Sequence, residues 1–457
     1  MLNSNDTICA LSTPNGVGAI ALIRVSGAKS LAIVSACFSK NLIDKSSHTA
    51  HFGYFKGPDG TLIDEVLITV FESGKSFTGE EAAEIACHAS PYIQQQIIQT
   101  LLSAGCRLAE PGEYTMRAFM NGKLDLSQAE AVADLIASQT KGAHDIALKQ
   151  LRGGFSNELR DLREKLIHFA SLVELELDFA EEDVEFADRN ELKQLVADVL
   201  AYIKRLATSF ELGNAIKNGV PVAIVGAPNT GKSTLLNQLL GEDRAIVSNI
   251  AGTTRDVIEE TLNIEGILFR LIDTAGIREG AEEIEAMGIE RSKEKIQQAQ
   301  VVLCLADVSK ENSLDEVTAW AKEIKSTYHD KKIIIVANKV DIVANKRSLS
   351  EVEMPLIFLS AKEGVGIEEL KQQLVELVTG DFNISTDTIV SNARHYDALV
   401  RTAHSLEKAQ YDLDNNITAD FVAMDIRQAM YDLGTITGDI STDDLLGNIF
   451  SKFCIGK

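Results

Sequence analysis

Between residues 219 and 379, short apolar runs alternate with helix-favouring segments along the chain. Each run is a few residues long and rich in Val, Ile or Leu, which is typical of buried strands. The predicted strands are Val220–Val225, Glu259–Ile264, Leu268–Asp273, Val301–Ala306, Ile333–Asn338 and Leu356–Ser360. Strands that alternate with helices in this way predict a doubly wound α/β sheet.

The N-terminal part, before residue 127, has short apolar runs broken by Gly, Asn and Asp, which predicts a mixed α and β domain. The predicted strands are Ile8–Leu11, Ile20–Val25, Phe52–Phe55, Leu67–Phe71 and Ala83–Cys87, and the predicted helices are Leu31–Cys37 and Tyr92–Ala104. Gly16–Ala21 matches the dinucleotide pattern G-x-G-x-x-A, and Gly57–Gly60 imitates an RNA-binding GXXG loop. The first leads into a strand rather than a helix, and the second contains Pro58 and Asp59, so we interpret both as turns.

From Ser127 onward the pattern changes to that of helices. Ser127-Gln-Ala-Glu130 matches a capping box, and apolar residues then recur at three- and four-residue steps. These apolar residues are Leu159, Leu162, Leu166, Phe169 and Val173. Later helices are predicted at Asn190–Leu212, Arg394–Tyr411 and Ala419–Leu433, with a short apolar turn after Asp443 and Asp444. The acidic run Glu174–Glu185 is interpreted as a solvated helix end rather than a metal site.

Helical segments therefore flank the α/β segment on both sides, which predicts a helical domain with the α/β domain inserted into it. We expect an N-terminal α+β domain at 1–123, helical parts at 124–218 and 380–457, and the α/β domain at 219–379. A length of 457 residues agrees with about three domains of roughly 150 residues each.

Composition and charge narrow the classes of function. The formal net charge of −23 argues against broad, non-specific nucleic-acid binding, although it leaves room for a local basic patch. One candidate patch, which a solvated helix face would also explain, consists of Lys141, Lys149, Arg152, Arg160, Arg163 and Lys165. The six cysteines lack C-x-x-C spacing, which predicts reduced thiols rather than disulfides or a zinc site. We see neither a signal peptide nor an apolar run of about 18 residues, so we expect a cytoplasmic protein with no membrane segment.

The stretch Gly226-Ala-Pro-Asn-Thr-Gly-Lys-Ser-Thr234 matches G-x-x-x-x-G-K-[ST] between a predicted strand and a helix-favouring segment. Gly226 and Gly231 allow the backbone to turn several N–H groups onto one anion, and the next helix adds the positive end of its dipole. Lys232 is placed to reach the β- and γ-phosphates, and Ser233 to hold Mg²⁺. A plain turn is the alternative, and the strand-loop-helix context argues against it.

Four further motifs of a guanine-nucleotide site appear in the chain. Asp273-Thr-Ala-Gly276 ends a strand, where an acid can orient the Mg²⁺ shell. Asn338-Lys-Val-Asp341 resembles the guanine-reading N-K-x-D motif, in which the acid pairs with the base N1–H and exocyclic amine. Ser360-Ala-Lys362 resembles the loop that backs the base, and Gly252-Thr-Thr-Arg-Asp256 supplies Thr254 as a candidate Mg²⁺ ligand. Together with the phosphate loop, these motifs predict GTP binding.

The residues predicted to contact GTP come from these five segments. They are Asn229, Thr230, Gly231, Lys232, Ser233, Thr234, Ser248, Asn249, Ile250, Ala251, Gly252, Thr253, Thr254, Asp273, Thr274, Ala275, Gly276, Asn338, Lys339, Asp341, Ser360, Ala361 and Lys362. Ras-type enzymes orient the attacking water with a Gln just after D-x-x-G, and this chain has Ile277 there. Other polar groups must take over its work. The predicted catalytic set is Glu285, Asn229, Thr254, Arg255 and Arg278.

The phosphate loop with Asn229, the I-A-G-T-T-R-D stretch from Ile250 and the terminal Cys454-Ile-Gly-Lys457 together resemble the MnmE (TrmE) family of tRNA-modification GTPases. So do P-G-E-Y-T-M-R-A-F from Pro111 and G-K-L-D-L from Gly122, so that the resemblance covers essentially the whole chain. It implies an N-terminal folate-binding domain that dimerises, a helical domain, and a Ras-like P-loop GTPase domain inserted in the latter.

The resemblance further implies that the GTPase domains pair around K⁺, which takes the place of an arginine finger. The implied K⁺ ligands are Asn229, Ser248, Ile250 and Thr253. Glu285 matches the acid that orients the attacking water in this family. By chemistry alone, Glu282 and Glu283 remain alternatives for that acid.

A site for 5-formyltetrahydrofolate is also implied. Its contacts would be Arg24, Glu84, Lys123 and Lys457, and a catalytic part for Cys454 is a further hypothesis. Arg and Lys suit the carboxylates of folate, and an acid suits the N–H donors of the pterin. By residue type alone, each would be interpreted as a surface or structural charge.

The function implied is that of a K⁺-stimulated, dimerisation-activated GTPase in tRNA modification. With the flavoprotein MnmG, as a heterotetramer, it would add a carboxymethylaminomethyl-type group to carbon 5 of the wobble uridine of certain tRNAs. The one-carbon unit would come from tetrahydrofolate. One alternative is an RNA-binding ribosome-assembly or regulatory GTPase, although neither a KH nor an RNP signature is found. A second alternative is folate-dependent methyl transfer by this chain alone.

Overall fold

The computed structural model describes residues 6–178, 189–243, 260–272, 293–343, 354–384, 386–415 and 417–456. The chain forms two compact units, and each consists of segments that are separate along the sequence. The first comprises Met1–Ile136, Lys149–Val196 and His404–Lys457, and the second comprises Ala137–Leu148 and Ala197–Ala403.

The strands and helices of the described residues are numbered here in chain order. The strands are β1 (Ile8–Leu11), β2 (Ile20–Ser26), β3 (Thr49–Lys56), β4 (Leu62–Phe71), β5 (Ala82–His88), β6 (Arg107–Leu108), β7 (Val220–Gly226), β8 (Glu260–Ile264), β9 (Ile267–Leu271), β10 (Val301–Asp307), β11 (Lys332–Asn338) and β12 (Leu356–Leu359). The helices are α1 (Ser30–Cys37), α2 (Pro91–Ser103), α3 (Glu113–Met120), α4 (Leu126–Ala137), α5 (Lys141–Leu151), α6 (Gly154–Asp178), α7 (Arg189–Thr208), α8 (Phe210–Asn218), α9 (Lys232–Asp243), α10 (Ser313–Thr327), α11 (Ile367–Thr379), α12 (Ala393–Asp414), α13 (Ala419–Thr437) and α14 (Asp443–Phe450). Residues 293–298 are also helical.

The first unit contains a six-stranded sheet in the order β3-β4-β5-β2-β1-β6. Strands β1 and β6 pair in parallel, and the other neighbours pair antiparallel. Alternate residues of a strand point to opposite faces, so one face of this sheet buries Ile23, Ile68 and Ile85. Ile97 and Leu101 of α2 belong to the same core. The predicted strands and helices of this part are confirmed, each within a few residues of its expected bounds.

Both Gly-rich stretches lie in connections between strands. Residues 16–19 belong to the irregular connection between the antiparallel strands β1 and β2 rather than to a tight turn, and a strand rather than a helix follows at Ile20. Gly57–Gly60 connects β3 to β4, and the Gly57 N–H donates to the Thr61 carbonyl at 2.9 Å. The sequence pattern did not predict β6, which has two residues, or α3, whose buried residues include the polar Glu113, Thr115 and Arg117.

The second unit contains a six-stranded sheet in the order β12-β11-β10-β7-β9-β8. Strand β8 is antiparallel to β9, and the other neighbouring pairs are parallel. Later strands flank β7 on both sides, so β7 lies at the topological switch point, where open α/β sheets bind ligands. The predicted doubly wound fold is confirmed. Two predicted strand ends, Glu259 and Asp273, lie outside the described residues.

Two helix predictions need correction. The predicted helix Asn190–Leu212 is two helices, α7 and α8, which meet at Ser209. The Ser209 hydroxyl donates to the Leu206 carbonyl at 2.7 Å, so a side chain satisfies a carbonyl near the end of α7. The predicted apolar turn after Asp444 is the helix α14, because Thr442 caps it by accepting from the Leu445 N–H.

The capping box of α4 lies two residues before the predicted one. Asp125 Oδ1 accepts from the Gln128 N–H, and Gln128 Oε1 accepts from the Asp125 N–H, each at 2.9 Å. Ser127 is a buried residue inside the helix, and its hydroxyl donates to Asp125. The box predicted at Ser127–Glu130 is therefore wrong, since Asp and Gln form the reciprocal pair instead.

The six cysteines are free thiols, and Cys454 is the exposed one among them. Within the ranges given above, no helix is both long and apolar enough to cross a membrane.

Candidate functional site

The loop that matches the phosphate-binding motif lies between β7 and α9, at the switch point of the second sheet. Lys232 opens α9, and its ammonium donates to the carbonyls of Gly226 at 2.8 Å and Ala227 at 2.9 Å. Thr230 Oγ1 donates to the same Ala227 carbonyl at 2.9 Å. The loop thus wraps around the Lys232 side chain, with the positive end of the helix dipole beside it.

Gly231, like Gly226 before it in this loop, stands where a side chain cannot be accommodated. Its φ is +98°, and a Cβ there would collide with Asn338 Nδ2. The Asn338 amide donates to the Thr230 carbonyl at 2.8 Å, so the end of β11 contacts the backbone of the phosphate loop directly. The glycine of the motif therefore serves the close approach of two loops as well as the turn itself.

The pKa of Lys232 lies below its ordinary value, chiefly because the side chain is buried and secondly because Lys295 carries a like charge nearby. Both causes disfavour the ammonium form. An anion bound in the loop would reverse them, since an opposite charge at close range favours the charged lysine. The electrostatics of the loop therefore fit a phosphate.

Asn338 links three loops at the carboxyl ends of the strands. It is 2% exposed, and its Oδ1 accepts from the Lys339 N–H at 2.8 Å and from the Ala361 N–H at 3.0 Å. Its amide nitrogen reaches Thr230, as described above. The sequence predicted Asn338 as a GTP contact, and the structure gives its side-chain atoms to bracing the loops after β7, β11 and β12.

Asp341 lies in a one-turn 3₁₀ helix, Val340–Ile342, just beyond β11. A hydrogen bond from Ser360 lowers the pKa of its carboxyl group, and the charges of Lys362 and Lys339 lower it further. The group is therefore ionised at neutral pH and can accept two N–H donors side by side. That pattern suits guanine, whose N1–H and amine are adjacent donors.

Asp307, at the end of β10, is a polar residue of this site that the sequence motifs do not include. Its carboxylate is buried, accepts from Lys339 Nζ at 2.7 Å, and lies in register with Asn338 on the next strand. The signal in the sequence was an acid that ends the otherwise apolar run V-V-L-C-L-A-D.

Several predicted site residues lie outside the described residues. They are Ser248, Asn249, Ile250, Ala251, Gly252, Thr253, Thr254, Arg255, Asp273, Thr274, Ala275, Gly276, Ile277, Arg278, Glu282, Glu283, Glu285 and Lys457. Of the predicted K⁺ ligands, Asn229 is described and is exposed, with φ at +64°. Of the predicted Mg²⁺ ligands, Ser233 is described and belongs to the first turn of α9.

A second candidate site lies on the first unit, around Arg24 and Glu84. These two residues are register partners on β2 and β5, and Arg24 Nη2 donates to Glu84 Oε1 at 2.8 Å. They line a cavity of about 100 Å³ with the residues Phe71, Ser76, Phe77, Thr78 and Ala82. The structure therefore brings together an acid and a base that are 60 residues apart in the sequence.

Aromatic rings surround the Arg24 guanidinium. Its central carbon lies 5.4 Å from the ring centre of Phe77 and 5.6 Å from that of Tyr114, which are cation–π distances. The buried Tyr114 hydroxyl also donates to the Arg24 carbonyl at 2.8 Å. Arg24 is thus held at both its backbone and its side chain.

Lys123 and the C-terminal tail contact connections between the elements of this unit. Lys123 Nζ donates to the Gly74 carbonyl at 2.8 Å, in the loop that supplies Ser76 and Phe77 to the cavity. Ser12 Oγ, just after β1, donates to the Gly456 carbonyl at 3.2 Å. The exposed Cys454 accepts from the Gly112 N–H through its carbonyl at 3.3 Å.

Comparison with known proteins identifies the family. The chain is 52% identical over 468 aligned residues to a tRNA modification GTPase MnmE of Flavobacterium johnsoniae, with 100% of both chains covered. The chain belongs to the MnmE family. An MnmE of Cytophaga hutchinsonii is 52% identical with 100% of this chain and 98% of its own covered, and one of Flavobacterium psychrophilum is 53% identical with 99% of each covered. A family model described as MnmE helical domain matches residues 126–454, and one described as GTP-binding protein TrmE N-terminus matches residues 7–123.

Membership of the MnmE family agrees with both sites described above. The match to the MnmE helical-domain model includes the second sheet and the segments before and after it along the chain. The N-terminal match contains Arg24, Glu84 and Lys123.

Proposed function

We propose that this chain is a GTP hydrolase that acts in tRNA modification, as its MnmE relatives are named. The observation that supports this best is the brace made by Asn338, which joins the phosphate loop to the segments that carry Asp341 and Ala361. The proposed phosphate-binding loop and the proposed guanine-binding segment are thereby hydrogen-bonded to each other at the carboxyl ends of the strands. We place this activity in the cytoplasm, where free thiols such as these persist.

Each part of the nucleotide then has a proposed partner. Lys232 would bind the phosphates from inside the loop, and Ser233 with Thr254 would hold Mg²⁺. Asp341 would accept from the guanine N1–H and amine, and the Ala361 loop would back the base. Mg²⁺ and K⁺ supply positive charge that offsets the charge developing on the phosphates during hydrolysis.

The substitution Asp341→Asn tests the nucleotide assignment. An amide keeps one acceptor and replaces the other by a donor, so it mismatches guanine and matches xanthine, which has a carbonyl in place of the amine. We expect GTP affinity to fall by about 100-fold and xanthosine triphosphate affinity to rise. Titration with fluorescent nucleotides measures both, and Asp330→Asn, an exposed acid at the opposite end of β11, is the matched control.

Asp341→Asn also tests the cellular role. In cells that lack this protein, we expect wobble-uridine modification of tRNA to return with the wild-type gene and with Asp330→Asn, and not with Asp341→Asn. Nucleoside analysis by mass spectrometry gives the answer. Normal modification in the deletion, together with defective ribosomal subunits, would instead favour a ribosome-assembly GTPase.

We further propose that K⁺ stimulates hydrolysis, with Asn229, Ser248, Ile250 and Thr253 as its ligands and Glu285 as the acid that orients water. The residue after D-x-x-G is Ile277, which offers no polar group for that work. Replacing K⁺ by Na⁺ should lower turnover and leave nucleotide affinity nearly unchanged. Equal turnover in the two salts would remove this assignment.

The Arg24–Glu84 cavity is our proposed site for 5-formyltetrahydrofolate, with Lys123 and Lys457 as further contacts. A volume of about 100 Å³ is below that of pockets for whole cofactors, so we expect the pterin ring alone to enter. Glu84 would accept from pterin N–H groups, and the lysines would meet the carboxylates of the tail. Glu84→Gln should weaken binding about tenfold in calorimetry, and the exposed Glu72→Gln should not.

The sheet face that carries Arg24 and Glu84 supports a homodimer. Phe52, on the edge strand β3, and Leu67, on β4, are register partners on this face and are 53% and 44% exposed, so they form an exposed apolar patch. A second copy of the chain would cover them, and sedimentation equilibrium with Leu67→Asp measures the loss of the dimer.

We propose MnmG as the further partner, in a heterotetramer, and tRNA as the substrate of the pair. In this arrangement residues 1–123 bind folate and dimerise, residues 124–218 with 380–457 form the helical domain, and residues 219–379 hydrolyse GTP.

A further inference from the structure

Asp307 ends the strand β10 beside the phosphate loop and lies outside every motif of the nucleotide site. Its side chain is 2% exposed. In the sheet it pairs with Asn338 on β11, and two residues earlier Leu305 pairs with Gly226 of β7. A buried acid at this point has access both to the phosphate loop and to the guanine-reading segment.

The two oxygens of Asp307 have separate partners. Oδ1 accepts from the Ser309 hydroxyl at 2.6 Å and from the Ser309 N–H at 3.1 Å. Oδ2 accepts from Lys339 Nζ at 2.7 Å. The bonds from Lys339 and Ser309 lower the pKa of Asp307 by more than burial raises it, so the carboxylate is charged.

The same lysine continues the chain of contacts into the phosphate loop. Lys339 Nζ donates to the Asn229 carbonyl at 2.8 Å, so one ammonium joins the end of β10 to the middle of the loop. Charge-assisted bonds of this kind are short and stronger than those between neutral groups. Asp307, Lys339 and Asn229 therefore form a continuous connection across three neighbouring strand ends.

Lys339 and Asn229 share an uncommon backbone conformation. Their φ angles are +71° and +64°, and among the described residues only five that are not glycine have positive φ. Such residues keep this conformation where their surroundings hold them in it. Here the two are bonded to each other, and Asp307 fixes the shared ammonium.

We propose that Asp307 is a positioning residue that acts through Lys339 on Asn229, so that the guanine-reading segment and the proposed K⁺ ligand form one unit. The inference rests on the proposed function, because it explains how Asn229 is held in place to act as the proposed K⁺ ligand. Asp307 touches neither nucleotide nor K⁺. It sets the concentration of K⁺ that the site needs and the rate at which nucleotide leaves.

The substitution Asp307→Asn tests this in the full-length protein. It keeps the shape and an acceptor for Ser309 but removes the charge that holds Lys339. We expect the K⁺ concentration for half-maximal GTP hydrolysis to rise about tenfold, with the turnover at saturating K⁺ within about twofold of wild type. Release of a fluorescent GDP analogue should accelerate about tenfold as well.

Ser309→Ala is the matched control, because it removes a donor to the other oxygen of the same carboxylate and leaves the bond to Lys339. We expect wild-type K⁺ dependence and GDP release in that variant. A shift as large as that of Asp307→Asn would overturn the proposal, since packing around Asp307 rather than its bond to Lys339 would then matter. Unchanged K⁺ dependence and unchanged GDP release in Asp307→Asn would overturn it directly.

Lys339→Met breaks the same connection at its centre and completes a double-mutant cycle. In that background Asp307→Asn should cause no further change in GDP release, whereas an additive change would contradict action through Lys339. The cycle also replaces the first test if Asp307→Asn alone does not fold. A wild-type protein that hydrolyses GTP equally in K⁺ and Na⁺ would count against the proposed K⁺ role, and the GDP-release measurements would still decide the role of Asp307.

Discussion

The nucleotide site and the Arg24–Glu84 pocket are held together by different kinds of contact. At the nucleotide site, side chains bond mostly to main-chain atoms of neighbouring loops, as Asn338 does with Thr230 and Ala361. At the pocket, charged side chains bond to one another, as Arg24 does with Glu84. The first arrangement depends on backbone shape, and the second depends on keeping every buried charge paired.

The charges behind the pocket form a network centred on Glu113. Its side chain has no exposed surface and accepts from Arg107 at 2.6 Å and from Arg117 at 2.9 Å. Arg117 also pairs with Asp6 at 3.0 Å and with Glu80 at 3.1 Å, in the loop that walls the pocket. The network therefore ties that loop to α3 and to the N-terminal strand.

The largest effect is expected for Glu113→Gln, which leaves Arg117 buried with less compensating charge. Arg107 is 35% exposed, so water can replace part of its lost partner, whereas Arg117 is 7% exposed and has no such access. We expect the free energy of unfolding of the first unit to fall by about 3 kcal/mol. Urea denaturation followed by Tyr fluorescence or circular dichroism measures it.

Glu72→Gln provides the control for that experiment. Glu72 pairs with Lys75 at 2.8 Å, but both side chains are about half exposed, so no measurable loss is expected. Nucleotide affinity should stay at the wild-type value in both variants. If Glu113→Gln unfolds like Glu72→Gln, paired charges do not hold this part of the molecule.

The next effect concerns backbone shape, through Gly231→Ala. The new Cβ would collide with Asn338 Nδ2. The alanine would also have to adopt a φ of +98°, which is unfavourable for any residue with a side chain, whatever the space around it. Relief requires the brace between Asn338 and Thr230 to open. We expect nucleotide affinity to fall about 100-fold, as measured with a fluorescent GDP analogue, with the first unit as stable as before.

Gly241→Ala is the matched control, because it lies in the helix α9 that follows the same loop and a Cβ there meets nothing within 4 Å. An alanine at that position should leave affinity unchanged and slightly stabilise the helix. Equal losses of affinity in the two variants would mean that the loop tolerates no change nearby, rather than that Gly231 serves the contact with Asn338.

The difference between contacts to the local backbone and pairs of distant charged side chains also decides how much of each site the sequence could predict. The nucleotide site follows from contiguous motifs, because its shape depends on the local backbone, and the strand order then places the motifs at one edge. Arg24 and Glu84 meet only through the register of β2 and β5, which no local pattern contains. Their pocket was predicted from the family resemblance rather than from the residues.

Other predictions failed where several residue types can do the same work. The N-cap of α4 is Asp125 with Gln128, and the sequence offered Ser127 with Glu130 as an equally good pair. Asp307 was missed because an acid at the end of a strand forms no recognised motif by itself. Its role depends on Lys339, which is 32 residues away in the sequence.

The smallest effect is expected from acid, and it separates the two regions by what is lost. Burial raises the pKa of Glu113, but hydrogen bonds from Arg107, the Glu110 N–H and Arg117 lower it by more, so it lies below the ordinary 4.5. A carboxyl group with a lowered folded-state pKa contributes stability above its ordinary value and loses it as the pH falls through the folded value. The unfolding free energy of the wild type should therefore stay level from about pH 7 to pH 5 and then decline. In Glu113→Gln the decline should be more gentle, because that variant lacks the proton uptake of Glu113.

At the nucleotide site, a hydrogen bond from Ser360 lowers the pKa of the exposed Asp341. Acid should therefore weaken GDP binding there without unfolding the protein. The unfolding free energy and the GDP affinity are measured in parallel as the pH is lowered. If the unfolding free energy falls at the same pH in the wild type and in Glu113→Gln, Glu113 does not determine the loss of stability in acid.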